Sequence, residues 1–306
     1  MRDLIFNPKP DSKEGEAAAR PIDLAAGRRA FISTLGLGVV GAALFSPQSV
    51  TPAAAQAVTD NDILNFGLNL EYLEAEFYLR ASTGRGLLDS EVSGVGTLGP
   101  VAGGRQVPFA SQMVANIANE IASDERAHVR TLRGALGSAA VARPAIDLSF
   151  SFTLAARAAG LIGPTDTFDA YADDNSFLLA AFIFEDVGVT ANQGVAPLFT
   201  SKVNLAVGAG ILAVEAYHAG AIRTLLITRG LFAQGQAISN LRNGANPGTN
   251  SDQGIGDAVT SNIVPVNPPT GLTYARTFQQ VLNIVYLNSS GRPTGFFPNG
   301  TNGNIR

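Results

Sequence analysis

The chain has no cysteine and no tryptophan, and it has only two methionines among 306 residues. Without cysteine there can be no disulfide bond, no thiolate metal site, no iron–sulfur cluster and no cysteine nucleophile. A rubredoxin-type iron centre is excluded for the same reason, since it needs four thiolates. The core must therefore be built from alanine, leucine, isoleucine, valine and phenylalanine.

Charged residues are also scarce, at 15% of the chain, and they sum to a formal net charge of −4. This acidic balance argues against nucleic acid as a partner, because phosphate binding needs a basic surface. Histidine is scarcer still, with two residues in the whole chain. Any chemistry that needs imidazole must therefore use one or both of them.

Each histidine follows a glutamate by three positions, in Glu125-Arg-Ala-His128 and Glu215-Ala-Tyr-His218. This spacing puts the carboxylate and the imidazole on one face of a helix. Two such helices, with one glutamate from each of two further helices, form the dinuclear carboxylate site of one class of four-helix bundle. The surroundings repeat as well, because Leu132-Arg133 and Ile222-Arg223 follow at equal distances.

The first 57 residues have the features of an export segment. The stretch Gly27-Arg28-Arg29-Ala30-Phe31-Ile32 resembles a twin-arginine signal, and an uncharged run from Phe31 to Phe45 follows. Ala55-Gln56-Ala57 fits a cleavage site. The sequence predicts twin-arginine export to the periplasm or cell surface, with no membrane span left after cleavage. The alternative is an uncleaved N-terminal anchor.

The remaining pattern predicts an all-α fold of five helices, at about 61–81, 109–136, 174–199, 201–233 and 274–287. The first four form a bundle over residues 58–233, made of two helix hairpins joined by a long crossover at 138–172. In that crossover, residues 146–154 alternate apolar and polar and are predicted to be extended. Residues 234–271 are predicted to be a polar surface loop. The whole of 234–306, including a Gly/Asn-rich tail with Phe296 and Phe297, is predicted to pack on the bundle.

The fourth helix is apolar on all sides from Leu205 to Ile222, apart from Glu215, Tyr217 and His218. A carboxylate in such surroundings must be neutral, paired or bound to a cation. The third helix repeats this arrangement, since a continuous apolar run from Phe177 to Phe184 precedes Glu185. Glu185 and Glu215 each lie about 22 Å along their helices from the shared turn, and so at one level of the hairpin. A membrane span is a further reading of the apolar run, but Glu215, His218 and three glycines disfavour it.

The first helix offers three glutamates, of which Glu71 is the favoured ligand and Glu74 its rival, while Glu76 points elsewhere. The repeat predicts that Glu125 and Glu215 bridge two metal ions, with Glu71 and Glu185 as terminal ligands. Carboxylate and imidazole ligands suit iron or manganese. Five side chains are candidates for orienting the ligands: Glu74, Tyr78, Asp124, Asp186 and Tyr217. Three plainer readings stay open: a surface ion pair for Glu125–His128, core packing for both tyrosines, and a solvated charge for Asp124.

Three stretches resemble the ferritin-like superfamily, and within it the desiccation-related ferritin-like proteins. They are Leu68-Asn-Leu-Glu-Tyr-Leu-Glu-Ala-Glu-Phe-Tyr78, Phe184-Glu-Asp-Val-Gly-Val-Thr190 and Gly295-Phe-Phe-Pro-Asn-Gly300. The resemblance implies a four-helix bundle with two iron or manganese ions held by Glu71, Glu125, His128, Glu185, Glu215 and His218. One departure is Asn192, where related sequences often carry tyrosine.

Two functions fit these observations. One is a di-metal oxidoreductase that takes O2 or hydrogen peroxide and oxidises ferrous iron, or consumes peroxide, in stress protection. The other is a non-catalytic structural or desiccation-related protein whose metal site is structural or vestigial. A homo-oligomer is compatible with either, whereas a storage cage is disfavoured because the long loops would crowd a shell.

Overall fold

The computed structural model describes residues 57–306, and the predicted export signal up to residue 56 lies outside them. The described residues form eight α-helices and two short β-strands. In chain order these are α1 (Asp60–Thr83), α2 (Asp89–Val92), β1 (Val101–Gly103), α3 (Gln112–Leu136), β2 (Ile146–Leu148), α4 (Phe150–Ala158), α5 (Asp174–Val195), α6 (Lys202–Thr228), α7 (Phe232–Gly244) and α8 (Phe278–Val285).

The four long helices form two hairpins, with α1 packed along α3 and α5 packed along α6. Local sequence signals set where these helices begin. Thr59 and Asp62 form a capping box at the start of α1, and the side chains of Ser111, Asp173 and Ser201 cap α3, α5 and α6. The predicted all-α bundle of two hairpins with a long crossover is confirmed.

The crossover is less extended than its alternating pattern predicts. Only Ile146–Leu148 forms a strand, which pairs in parallel with β1 so that Val101 lies opposite Ile146. The Asp147 carboxylate then accepts hydrogen bonds from the backbone N–H groups of Ser149 and Phe150. This contact turns the chain into α4, so the prediction of an extended segment through residue 154 is wrong beyond Leu148.

Residues 234–271 are not only a surface loop, which corrects the prediction. The fourth bundle helix ends at Thr228, a turn with Gly230 at φ 68° follows, and α7 then runs from Phe232 to Gly244. Arg242 on α7 is fully buried and lies over the ring of Phe182, with its guanidinium carbon 4.4 Å from the ring centroid. Polar composition misled the prediction because Arg242 is paired in the interior, with Asp252 of the same segment and with Asp186 of α5.

The C-terminal tail contributes to the core of the bundle. Phe296 and Phe297 are both fully buried. The ring of Phe296 meets the rings of Phe152 and Phe184 edge-on, at centroid distances of 5.1 and 4.8 Å. Since Phe184 precedes Glu185 on α5, the tail supports the helix segment that carries a predicted ligand.

Among the described residues, one helix is long and apolar enough to cross a membrane by length and composition, namely α6, with a mean hydropathy of 1.5. Only 33% of its most apolar window is buried, and Val203 and Tyr217 are 73% and 80% exposed. The polar residues Glu215, His218 and Arg223, in contrast, are buried against the other helices.

We expect that Phe296→Ala lowers the free energy of unfolding by about 3 kcal/mol or more, because it removes a buried ring and leaves a cavity. Urea denaturation of the two proteins gives the difference. Phe150→Ala is the matched control, since Phe150 is 55% exposed. Equal midpoints for the two variants would show that the tail does not stabilise the bundle.

Candidate metal centre

The four bundle helices bring the six predicted ligands into two adjoining groups. One group contains Glu71, Glu125, His128 and Glu215, and the other contains Glu185, Glu215 and His218. Within each group, one ligand atom per residue lies within 4.8 Å of all the others. Glu215 belongs to both groups, so its carboxylate lies between them.

The first group is centred on His128. The Nδ1 atom of His128 lies 3.1 Å from Glu71 Oε2, and 3.7 Å from both Glu125 Oε2 and Glu215 Oε1. Glu71 on α1 therefore faces the histidine of α3 directly. Glu74, its rival in the sequence, belongs to neither group.

The second group is centred on His218. Its Nδ1 atom lies 3.0 Å from Glu125 Oε1 and 3.8 Å from Glu185 Oε2. Glu125 thus contacts both histidines, whose ring centroids are 6.2 Å apart. Glu125 and Glu215 each lie close to both histidines, whereas Glu71 lies close to His128 and Glu185 close to His218.

Several atoms of the cluster are buried without a hydrogen-bond partner among the described residues. They are Glu125 Oε2, both carboxylate oxygens of Glu215 and Glu185 Oε2, whereas Glu125 Oε1 contacts His218 Nδ1. Buried polar atoms are nearly always paired, and the cost of leaving a carboxylate unpaired is high. All of these atoms can donate a lone pair to a cation. This donor set, oxygen-rich with two imidazole nitrogens, fits iron or manganese.

Burial and the mutual repulsion of the carboxylates perturb the whole cluster. Burial, with the charge of Glu125, raises the pKa of Glu71 to about 7, and burial raises that of Glu185 to about 8. Burial also raises the pKa of Glu215 well above its usual value. Burial acts the same way on Glu125, but contacts with His128 and His218 outweigh it and lower its pKa to about 2. Without a bound cation, the raised pKa values therefore keep part of these carboxyl groups protonated.

Two of the predicted orienting residues contact the ligands. The Tyr78 hydroxyl donates to Glu185 Oε1. Asp124 Oδ2 lies 3.2 Å from His218 Nε2, so an N–H on Nε2 can donate to this carboxylate and leave Nδ1 free as a metal ligand. Tyr78 and Asp124 thereby fix one ligand each on α5 and α6.

The other orienting candidates divide differently. Asp186 contacts no ligand, because its two oxygens accept hydrogen bonds from Arg223 and Arg242. Tyr217 is 80% exposed and points away from the cluster. The prediction that Asp186 and Tyr217 orient ligands is therefore wrong. Asp186 follows Glu185 by one position and Tyr217 follows Glu215 by two, and such neighbours point to other faces of the helix. Glu74 is buried, and the nearby charges of Glu125, Glu71 and Glu185 add to burial in raising its pKa.

Gly188 is a functional position that the sequence analysis missed. A Cβ atom at this position would lie 2.3 Å from Glu215 Oε2 and 3.4 Å from Glu74 Oε1. The missing side chain therefore lets the Glu215 carboxylate approach the backbone of α5. A glycine in a buried helix, one turn after the apolar run and three residues after Glu185, was the available signal.

A small cavity reaches the cluster from the side of α1. It has a volume of about 20 Å³, and its lining includes Glu71, Glu74 and three glycines, Gly67, Gly188 and Gly208. A space of this size holds a single water-sized molecule. Any reactant that enters the cluster by this route must be comparably small.

Comparison with known families decides the class of protein. The model of the ferritin-like domain matches residues 59–228, which contain all six clustered residues. This chain belongs to the ferritin-like domain family. It is 30% identical over 270 residues to ferritin-like catalase Nec2 of Nesocodon mauritianus, covering 80% of this chain and 84% of the relative. It is 35% identical over 174 residues to desiccation-related protein PCC13-62 of Craterostigma plantagineum, covering 56% of this chain and 54% of the relative. No solved structure gives a significant match.

We expect that Gly188→Ala lowers the metal content per chain, because the added methyl group would lie 2.3 Å from Glu215 Oε2 and force this carboxylate to move. Gly210→Ala on α6 is the matched control, since a Cβ atom there meets nothing within 4 Å. Both variants gain similar intrinsic helix propensity, so their difference isolates the contact with Glu215. Metal content per chain and melting temperature are the measurements. Full metal content in Gly188→Ala would refute this role of the glycine.

The metal-free protein should lose stability as the pH rises from about 5 to about 9. The raised pKa values of Glu71, near 7, and Glu185, near 8, mean that the folded state binds more protons than the unfolded state in this window. His128 and His218 act in the same direction, because carboxylate contacts outweigh burial and raise their pKa values to about 11 and about 9. The contribution of the two histidines to stability is complete below the pKa that histidine has in the unfolded state. It is lost as the pH rises towards their pKa values in the folded state.

Melting temperatures of chelator-treated protein across this window test the prediction. Glu185→Gln should flatten the slope, because the amide has no proton to lose. A melting temperature of the metal-free protein that rises with pH over the same range would contradict it.

Proposed function

We propose that this protein holds two iron or manganese ions and uses them to consume hydrogen peroxide. The observation that supports this most strongly is the pair of adjoining ligand groups, which share Glu215 and contain four buried carboxylate oxygens without a hydrogen-bond partner among the described residues. Four carboxylates with two neutral imidazoles carry a charge of about −4, which two divalent cations neutralise. A single ion would leave a buried excess of negative charge.

Each ligand has a role in this proposal. His128 with Glu71, and His218 with Glu185, would each hold one ion, while Glu125 and Glu215 would contact both. When bound, the pair of ions supplies two-electron redox chemistry, by which two molecules of hydrogen peroxide yield two of water and one of O2. Tyr78 and Asp124 keep Glu185 and His218 in position.

Glu74 is the side chain best placed to handle protons. It is a buried carboxyl that lines the small cavity together with Glu71 but belongs to neither ligand group. Conversion of peroxide to water and O2 moves protons between oxygen atoms, and a non-ligand carboxyl beside the cavity can accept and return them. The water-sized cavity also favours hydrogen peroxide or O2 over organic hydroperoxides.

Similarity to a protein named as a catalase supports hydrogen peroxide as the substrate over other oxidants. This similarity extends over 80% of the present chain. Oxidation of ferrous iron is the second reaction that the same donor set supports. We further propose twin-arginine export, for which Arg28-Arg29, the apolar run and Ala55-Gln56-Ala57 are the support. Peroxide removal at that location would serve stress protection.

A non-catalytic role is the alternative, and similarity to a protein named as desiccation-related favours it. All four helices contribute residues to the cluster, so bound ions would also hold the bundle together. Under this alternative the protein binds metal and gains thermal stability, but it turns over neither peroxide nor ferrous iron.

Elemental analysis of protein purified from its native compartment is the first test, and we expect about two iron or manganese ions per chain. Glu215→Gln should lose both ions and lower the rate of O2 release from peroxide on the order of a hundredfold, because its carboxylate is shared by both groups. Tyr217→Phe, on the exposed face of the same helix, is the control and should match the natural protein. Full metal content without peroxide consumption or ferrous oxidation would favour the structural role.

A further inference from the structure

Helix α6 presents a second apolar face, which lies on the surface of the chain. Residues of this face recur at alternating steps of three and four positions, and we call them the outer seam. They are Val203, Ala206, Gly210, Ala213, Tyr217, Gly220 and Thr224. None is charged, and all are exposed except Gly220, which is half-buried. Such spacing is typical of a helix that packs lengthwise against another helix.

Two glycines of the outer seam have no packing role within the described chain. Glycine inside a helix lowers stability relative to alanine, so it usually has a packing reason. Gly208 has one, since a Cβ atom there would lie 3.0 Å from the ring of Phe199. A Cβ atom at Gly210 or Gly220 would meet nothing within 4 Å among the described residues. The space over these two glycines is therefore open to a side chain from outside the chain.

The C-terminal half of the outer seam forms one wall of an open groove. The opposite walls are Met113 and Ile117 near the start of α3, and Ile263 and Val264 in the segment after α7. The groove has a volume of about 1090 Å³. An α-helix about 10 Å across occupies roughly 1200 Å³ per ten residues, so the groove has the size of about three helical turns. An exposed apolar surface of this extent marks an interaction site.

The outer seam is complementary to itself when a second copy of α6 runs antiparallel. With a two-fold axis between residues 213 and 214, Tyr217 lies over Gly210 of the partner subunit. Val203 then meets Thr224 of the partner subunit, and the two copies of Ala213 meet each other. Large side chains therefore face small ones, as close packing requires. A parallel pair would instead place the two tyrosines together and leave a gap at the glycines.

Charge favours the same antiparallel orientation. Lys202, in the first turn of α6, is exposed, and the helix dipole makes a cation unfavourable there. In the antiparallel pair each lysine lies beside the last turn of the other helix, where the dipole is negative. A parallel pair would bring the two lysines together. A two-fold interface uses the same surface on both subunits, and the outer seam meets this requirement.

We infer that α6 is the interface of a homodimer, in which each subunit seats the N-terminal half of its outer seam in the groove of the other. The seam is about 32 Å long, and it is one helix width across in one half and two in the other, which gives roughly 500 Å² of projected area per subunit. The total of about 1000 Å² reaches the size of a specific interface. Glu215 and His218 are buried in the metal cluster and take no part in this contact.

Multi-angle light scattering of protein purified from its native compartment tests the dimer, and we expect twice the mass of one chain. Gly210→Glu should raise the dissociation constant at least about a hundredfold, because it buries a charge in an apolar contact. Gly134→Glu on α3 is the matched control, since Gly134 is an exposed helical glycine whose Cβ atom would also meet nothing within 4 Å. Both variants should keep the metal content of the natural protein.

A natural protein that is monomeric at concentrations on the order of 100 μM would overturn the proposal, as would a Gly210→Glu variant that stays dimeric. A monomer that floats with phosphatidylglycerol vesicles would assign the outer seam to a membrane surface instead. These masses do not depend on peroxide turnover, so the dimer and the proposed function can fail separately.

The absence of cysteine from the chain allows a test of the orientation by single cysteines. Ala213→Cys places two thiols across the two-fold axis, and diamide should link the subunits through them. Val203→Cys places its two thiols about 32 Å apart in the antiparallel pair, so this variant should stay unlinked. Adding Thr224→Cys to Val203→Cys should restore linking. If Val203→Cys alone links as fully as Ala213→Cys, or if Ala213→Cys does not link, the antiparallel seam is refuted.

Discussion

The structure depends on the confinement of four carboxylates that have too few partners inside a bundle of apolar helices. Glu71, Glu125, Glu185 and Glu215 are all at least 98% buried, and the unpaired atoms among them face one another. Such an arrangement is unfavourable unless positive charge is added, so the same residues that destabilise the metal-free fold create its affinity for cations. Metal binding should therefore raise the stability of the fold, and the two quantities should change together in variants of these residues.

The sequence predicts this part of the fold well because the relevant signals are local and strong. An isolated carboxylate in an apolar helix, as with Glu185 and Glu215, permits few explanations, and the Glu-x-x-His spacing fixes which face it occupies. Placement at equal depth followed from counting residues to the hairpin turn. The helix starts were similarly predictable, since Thr59, Ser111, Asp173 and Ser201 all have side chains that cap a helix.

What the sequence did not predict depends on contacts between residues distant along the chain. Asp186 was predicted to orient a ligand, yet its hydrogen-bond partners Arg223 and Arg242 are 37 and 56 residues further along the chain. The helix α7 was read as loop because Arg242 and its neighbours are polar, although that arginine is buried in ion pairs. Gly188 stood out only as a glycine inside a buried helix, because its contact is with a glutamate from another helix. Composition cannot show whether a polar residue is solvated or paired in the interior.

The ion pairs of Asp186 with Arg223 and Arg242 also have a mechanical consequence for the metal cluster. Successive residues on an α-helix are separated by about 100° around its axis, so Glu185 and Asp186 cannot both change direction independently. With Asp186 held by Arg223 and Arg242, rotation of α5 about its own axis would break buried ion pairs. The two arginines contact no ligand and lie outside the cluster. By fixing the rotation of α5 about its axis, they nevertheless fix the direction in which Glu185 points.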